Sequence, residues 1–233
     1  MFRKKPVLEY QLPTEICSEV LIPAAKNVPN WYKNIPKFKN NEIFNMENGF
    51  NHTVKNCVPV LNSLTSGYFV VLPQDIYVKN NNGEPYIAWK EDNKFTPNWR
   101  KEVADLNLVP FEHYAFEYTW SLACAIKVPI GYSMLVTHPF NRHDLPFTTL
   151  TGILDGGFVT LPNGNIPFYI KKGYEGIIPK GTPIVQLIPF FQENWISKKN
   201  DNLLKISEQN KKETSSVLSG WYKKKFWIKK NYL

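Results

Sequence analysis

The sequence lacks long hydrophobic runs and the residue patterns that build disulfides or metal sites. No stretch of about 18 apolar residues occurs, so we expect no membrane-spanning helix and no membrane partner. The charged start MFRKKPVLEY has no apolar stretch behind it, which predicts a cytosolic protein without a signal peptide. Three distant cysteines, Cys17, Cys57 and Cys124, predict reduced thiols, and four histidines without ligand spacing predict no metal.

The composition is that of a folded domain with a basic surplus. The 233 residues are 43% hydrophobic and 15% aromatic, which excludes an intrinsically disordered chain and fits one large core. The 28 Lys and Arg residues outnumber the 20 Asp and Glu residues, and much of the surplus lies near the C-terminus. A polyanion partner is one interpretation of that surplus, and a solvated charged surface is the other.

Strand patterns fill the middle of the chain. Residues 67–78 are rich in β-branched and aromatic types, and an Asn-Asn-Asn-Gly turn at 80–83 precedes a second such run, which predicts a β-hairpin. Further strands, separated by turn signals, are predicted at 114–126, 131–138, 147–154, 166–170, 176–178 and 183–191. Several short strands at near-regular spacing predict an all-β barrel or jelly roll.

Irregular segments flank this barrel. Residues 1–57 are interrupted by prolines and predict short helical pieces packed on the core, and residues 58–197 form the predicted barrel with an insertion near 91–113. The tail, residues 198–233, predicts a helix over 205–225 with an aromatic and basic end. Its candidate residues for contacting nucleic acid or an assembly partner are Trp221, Lys223, Lys224, Lys225, Phe226 and Trp227. Base stacking with phosphate contacts is one interpretation, and aromatics packed on the barrel beneath solvated lysines is the other.

Four segments of the strand-rich region occur in a recognisable order. They are SGYFVVLPQDIYV (66–78), KVPIGYSMLVTHPFN (127–141), GILDGGF (152–158) and IPKGTPIVQLIP (178–189). In this order they resemble the motifs of trimeric dUTPases and of their relatives, the dCTP deaminases. The phrases VPNWYK and GTPIVQLIPF also resemble those of a set of proteins encoded by tailed phages. The resemblance implies a dUTPase-like β-barrel, a homotrimer and a host-cytoplasmic or virion location.

The same resemblance shows where the chemistry departs from that family. Asp155 falls where the family has its water-activating carboxylate, although Asp is also common in turns of this kind. Phe69 replaces an acidic residue of the first motif, and Pro-Phe-Asn at 139–141 replaces Pro-Arg-Ser, so only Arg142 remains to bind phosphate. Phe158 replaces the tyrosine that packs under the deoxyribose. These losses predict an inactive protein, with Mg²⁺ needed only if nucleotide pyrophosphatase activity survives.

Three functions follow as hypotheses. The first is non-catalytic binding of a nucleotide or similar phosphorylated small molecule in a cleft between protomers. Its candidate ligand-binding residues, beside Asp155, are Tyr68, Asn141, Arg142, His143 and Phe158. The alternative is a virion structural or decoration protein that oligomerises through the barrel and tail, with other phage structural proteins as partners. The second alternative is single-stranded nucleic-acid binding through the tail.

Overall fold

A computed structural model describes residues 5–16, 18–46, 49–90, 95–100, 106–161, 165–217 and 220–233. These residues fall into two compact units. The sheet unit comprises the described residues within Met1–Asn27 and Gly67–Gln192. The helix unit comprises those within Val28–Ser66 and Glu193–Leu233. Each unit is therefore built from two segments that are far apart in sequence.

The described residues form many short strands and a few helices. The strands are β1 (Glu9–Gln11), β2 (Leu21–Pro23), β3 (Phe44–Asn45), β4 (Gly49–Phe50), β5 (Tyr68–Val71), β6 (Ile76–Asn81), β7 (Glu84–Ala88), β8 (Asn98–Trp99), β9 (Tyr118–Trp120), β10 (Ala125–Lys127), β11 (Tyr132–Thr137), β12 (Phe147–Thr149), β13 (Gly152–Asp155), β14 (Ile166–Ile170), β15 (Gly176–Ile178) and β16 (Pro183–Phe191). The α-helices are α1 (Asn30–Asn34), α2 (Val58–Thr65), α3 (Leu203–Ser215) and α4 (Trp221–Lys225). None of these described helices is long and apolar enough to cross a membrane.

The strands of the sheet unit pair in an antiparallel manner. The largest sheet has the order β13-β11-β16-β5-β2, and a second sheet has the order β12-β14-β9-β8. A third sheet joins β15, β6 and β7, and β1 pairs with β10. The hairpin of β6 and β7 confirms the prediction made from the turn at 80–83. The β-rich architecture is thus confirmed for this unit, whereas the helix unit shows that the whole chain is not all-β.

The central strand β16 has a sequence that suits burial on both faces. Strands β11 and β5 pair with its two edges. Residues 183–187 are all buried, and since successive side chains point to opposite faces, both faces of this part of the strand are covered. Such strands have near-continuous apolar sequences, and PIVQLIPFF matches that pattern except at Gln186. The buried Gln186 Oε1 accepts a hydrogen bond of 2.8 Å from the backbone N–H of Phe140, so this polar group does not lack a partner.

A buried polar chain connects the two largest sheets. The indole N–H of Trp120 donates to Thr149 Oγ1 at 3.0 Å, and the Thr149 hydroxyl donates to the Ile184 carbonyl at 2.7 Å. The Trp120 ring stacks on Phe168, with ring centroids 3.5 Å apart and planes 6° apart. Strands β9 and β12 of one sheet are in this way fixed to β16 of the other.

The helix unit is held by contacts within its first segment and between its two segments. The proline at position 59 lies in the first turn of α2. Backbone N–H groups in the first turn make no intrahelical hydrogen bond, so the helix tolerates proline there. From the C-terminal segment, Trp227 Nε1 donates to Asn62 Oδ1 of α2 at 2.8 Å. Lys55 Nζ donates to the Tyr32 carbonyl at 2.8 Å and lies over the Tyr32 ring. These bonds explain why residues 58–65 group with the C-terminus rather than with the predicted barrel.

Three features differ from the sequence prediction. The helix expected over 205–225 is two helices, and Gly220, with φ of +81°, precedes the second in a left-handed conformation that interrupts a helix. The strands expected over 114–126 and 147–154 are each two strands, β9 and β10 in the first case and β12 and β13 in the second. Within the expected insertion near 91–113, β8 pairs with β9, while residues 91–94 and 101–105 lie outside the described residues.

We expect Gly67→Ala to destabilise the sheet unit strongly. A Cβ atom at Gly67 would lie 1.9 Å from the Leu187 carbonyl oxygen, and its φ of +72° disfavours L-residues. Chemical unfolding should show a loss of about 4 kcal/mol or more. The matched control is Gly181→Ala, where φ is +82° but no atom lies within 4 Å, and the expected loss is about 1–2 kcal/mol. Equal losses for the two variants would contradict the steric explanation.

Candidate functional site

The four motif-like segments meet in one sheet. The third segment supplies β13, the second supplies β11, the fourth supplies β16 and the first supplies β5. These are four consecutive strands of the largest sheet, whose β13 and β2 form its edges. The four segments therefore form one contiguous part of the sheet, although their order across the sheet differs from their order in the chain.

Close backbone packing explains a glycine in the third segment. A Cβ atom at Gly156 would lie 2.1 Å from the Pro129 carbonyl oxygen and 2.5 Å from that of Tyr132. The Gly156 N–H donates to the Tyr132 carbonyl at 2.8 Å. This contact fixes the turn after Asp155 against the start of β11, and a side chain at position 156 would not fit.

The Asp155 carboxylate accepts hydrogen bonds from a side chain of β11 and from one that directly follows β16. Its Oδ1 accepts a hydrogen bond of 2.9 Å from Ser133 Oγ and one of 2.7 Å from Gln192 Nε2. Gln192 Nε2 also lies 2.7 Å from Ser133 Oγ, so the three side chains form one cluster. Asp155 itself is exposed. The carboxylate is oriented but accessible, and the sequence pattern gave no indication of Gln192 as its partner.

The surroundings of Asp155 are apolar and exposed. Ile130, Ile153 and Phe158 are each more than half exposed, and Ile130 Cγ1 would lie 3.0 Å from a Cβ atom at Gly157. We name these three residues the apolar patch. Tyr68 does not join them, because it pairs with Leu187, whose side chain lies on the core face opposite to that of Ser133 and Asp155.

The buried Arg142, beyond the other end of β11, forms an ion pair with the exposed Asp144. Its Nε donates to Asp144 Oδ1 at 2.9 Å, and its Nη2 donates to Asp144 Oδ2 at 2.9 Å. Burial acts to raise the pKa of Asp144, but the hydrogen bonds and charge of Arg142 outweigh it and hold that pKa below its ordinary value. Arg142 Nη1 is buried and has no hydrogen-bond partner within the described part of the chain.

The predicted ligand residues therefore form two groups. Asp155 lies beside Ser133 at the start of β11, whereas Asn141, Arg142 and His143 follow the end of that strand. Ser133 and Thr137, the last residue of β11, are four residues apart, which corresponds to about 13 Å along the strand. Asn141 has φ of +58° and forms part of the turn, while His143 is exposed and its carbonyl accepts from Lys171 Nζ at 2.6 Å. One protomer does not bring these two groups into contact.

His138 is partly buried next to the loop at 141–143. Burial lowers the pKa of His138 to about 4, and the charges of Lys171, His143 and Arg142 act in the same direction. The neutral ring accepts a hydrogen bond at Nδ1 from the Thr149 N–H, and Nε2 lies 3.3 Å from the Arg142 carbonyl. His138 is thus a structural link between this loop and β12.

The aromatic and basic residues of the tail interact with one another. Trp221 Nε1 donates to Glu213 Oε2 at 3.0 Å, and Lys225 Nζ lies 5.2 Å from the centre of the Trp221 ring. Lys223 Nζ lies 5.3 Å from the centre of the Trp227 ring. Lys224 and Phe226 are exposed. Base stacking on either indole would require its lysine to move, and nucleic-acid binding by this tail stays a prediction.

The donor set does not fit a resident metal ion. Asp155 is the carboxylate of its cluster, and its partners Ser133 and Gln192 are neutral. Across the residues that the structure describes, no group of three His, Cys, Asp or Glu side chains could hold a metal ion. Mg²⁺ prefers carboxylate oxygens together with substrate phosphates. We therefore assign no chemical step to Mg²⁺ in this chain.

Comparisons with known proteins give weak structural likenesses only, one of which is to a phage dUTPase. No protein-family model matches the sequence, and no curated protein matches it. Among solved structures, the chain is similar to a mutant dUTPase from phage phi11 of S. aureus, with 14% identity and a TM-score of 0.30. The likeness covers 59% of this chain and 84% of that one. A TM-score this low does not by itself establish a shared fold.

We expect acid to destabilise the sheet unit through His138. The folded-state pKa is about 4, below the ordinary value of 6.5, so the unfolded chain binds the proton first as the pH falls. Stability should decrease between pH 6.5 and pH 4 by up to about 3 kcal/mol. Urea unfolding of His138→Asn should show a smaller decrease than the wild type over this range. An unchanged pH dependence in the variant would contradict this assignment.

Proposed function

We propose that the protein is a phage-encoded assembly protein with a dUTPase-like β-barrel, and that it acts by self-association rather than by catalysis. The observation that carries the proposal is the exposure of residues 193–200, which we name the arm. Every residue of the arm is exposed and none lies in a helix or strand. Trp195 is 88% exposed and Ile196 is 96% exposed.

Large exposed apolar side chains favour a partner. Covering one such side chain contributes about 1.5–3 kcal/mol, and Trp residues often dominate the binding energy of protein interfaces. The apolar patch of Ile130, Ile153 and Phe158 adds a second exposed surface, beside the edge strand β13. An edge strand has unpaired backbone groups that can join another chain. These features support association with further copies, and a trimer is the state that the motif resemblance implies.

The state of the reacting groups supports a non-enzymatic function. Arg142, the remaining candidate for binding a phosphate, is buried and its guanidinium is engaged by Asp144. Asp155 stands about one strand length away from it. Neither group is positioned to act on a substrate held by the other in a single protomer. We place the protein in the virion, where assembly rather than turnover is required.

A second candidate function is binding of a phosphorylated small molecule at the loop 141–143. The specific observation that favours it is that Lys171 Nζ donates to the His143 carbonyl at 2.6 Å, which brings a cationic side chain to this loop. A site between protomers could combine this loop with Asp155 and Phe158 of another copy. In that form the second candidate depends on the first.

Self-association should depend on the arm. Light scattering after size-exclusion chromatography should give three times the chain mass of 27.1 kDa for the wild type. The double variant Trp195→Ser, Ile196→Ser should lose the trimer, because the apolar contacts are removed. The matched control is Phe111→Ser, where the side chain is also 88% exposed but lies in the sheet unit. A wild type that stays monomeric at high concentration contradicts the proposal. Mass spectrometry of purified phage particles tests the virion location.

Ligand binding should depend on Lys171. A deoxynucleoside triphosphate at a hundred times its Kd would stabilise the folded chain by about 2.7 kcal/mol. We expect Lys171→Ala to reduce this thermal shift, and the control Lys79→Ala, an exposed lysine of the same unit, to preserve it. A panel of these nucleotides, with and without Mg²⁺, should yield no hydrolysed product. A flat panel for the wild type removes this second candidate.

A further inference from the structure

The helix unit contains an open groove with aromatic walls. Its volume is about 480 Å³, within the range of sites that accept small molecules or large side chains. The groove lies between the residues at the start of α2 and those at the start of α4. Its principal lining residues are Phe50, Cys57, Val58, Pro59, Trp221 and Tyr222. A groove lined mainly by apolar and aromatic groups suits an apolar or aromatic occupant.

Hydrogen bonds hold the walls of the groove in place. Trp221 is fixed by its bond to Glu213, and Glu213 also accepts from Lys225. On the opposite wall, Asn56 Nδ2 donates to the Lys37 carbonyl at 2.5 Å and lies 3.1 Å from His52 Nδ1. A preformed site binds with a smaller loss of conformational entropy than one that must be ordered.

The same unit exposes a side chain that matches this groove. Trp195 lies in the arm and is 88% exposed, so the chain does not bury it in its own groove. If the arm binds in an extended conformation, its successive side chains point to opposite sides, and Trp195 can then insert without its neighbour Ile196. Buried Trp residues commonly act as interface anchors in well-packed pockets.

Charge placement fits the same pairing. Glu193, two residues before Trp195, is exposed and acidic. Lys223 is among the residues that line the groove. If the arm is extended when Trp195 enters the groove of another copy, residues i and i+2 lie on the same side, and Glu193 then lies on the groove side next to the inserted indole. An opposite charge at the rim favours this orientation and its register.

We propose that Trp195 of one copy inserts into the helix-unit groove of a second copy, where Phe50, Trp221 and Tyr222 contact it. This inference rests on the proposed self-association and names the acceptor site for the arm. It also gives Cys57 a role as a reporter, because its half-buried thiol lines the groove and should be covered by the inserted indole.

The test measures the reactivity of Cys57 toward a bulky maleimide in the full-length protein. All chains carry Cys17→Ser, since Cys17 lies outside the described residues, and Cys124 is buried. Above the association concentration, Trp195→Ser should label at least about tenfold faster than the parent chain, which corresponds to 1.4 kcal/mol of lost coverage. Phe111→Ser should label at the parent rate, and Cys57→Ser should show no signal.

The outcomes separate this inference from the proposed function. An arm-dependent trimer whose Cys57 labels at the same rate with and without Trp195 overturns the groove assignment and preserves the assembly function. Protection that requires Trp195 but is independent of protein concentration overturns exchange between copies. A monomeric parent chain overturns both proposals. Protection that rises with concentration and is lost in Trp195→Ser supports the inference.

Discussion

The buried hydroxyl of Thr149 is the contact on which the arrangement of the sheet unit depends. It accepts from the indole of Trp120 in β9 and donates to the carbonyl of Ile184 in β16, so one atom of β12 bonds polar groups of two other strands. Leaving either partner buried and unbonded would cost about 1–3 kcal/mol. Because Ile184 belongs to β16, this contact also fixes the strand that leads to Gln192 and thus to the Asp155 cluster.

Local sequence patterns predicted the elements that carry their own signals. The continuous apolar run of β16, the segment of β14 and the hairpin of β6 and β7 all follow from composition and turn residues. The first two strands carried no such signal. β1 and β2 have three residues each and exist because they pair with β10 and β5, more than forty residues away in the chain. Pairing between distant segments is decided by packing, which no local window contains.

The candidate site shows the same limit. Sequence resemblance identified Asp155, the last residue of β13, but its partner Gln192 comes from a distant segment and had no pattern of its own. Arg142 illustrates a signal that was present: Asp144 is two residues away in the sequence and binds the Nε and Nη2 atoms of Arg142 within the same loop. Tyr68 was placed by motif similarity, yet strand alternation puts it on the core face. Residue identity alone therefore does not predict a binding site, because the face of the strand and its pairing register must also be known.

These contrasts support the proposal that the chain functions by association. In the sheet unit, the polar groups that a nucleotide hydrolase would present are bonded to one another: Arg142 to Asp144, and Asp155 to Ser133. Groups that must stabilise a transition state act best when their donors point at the reacting atoms rather than at internal partners. In the helix unit, by contrast, apolar surface is exposed to solvent at Trp195 and along the groove. Removing exposed apolar surface from water is favourable. The exposed Trp195 and the apolar groove therefore support binding to another protein surface.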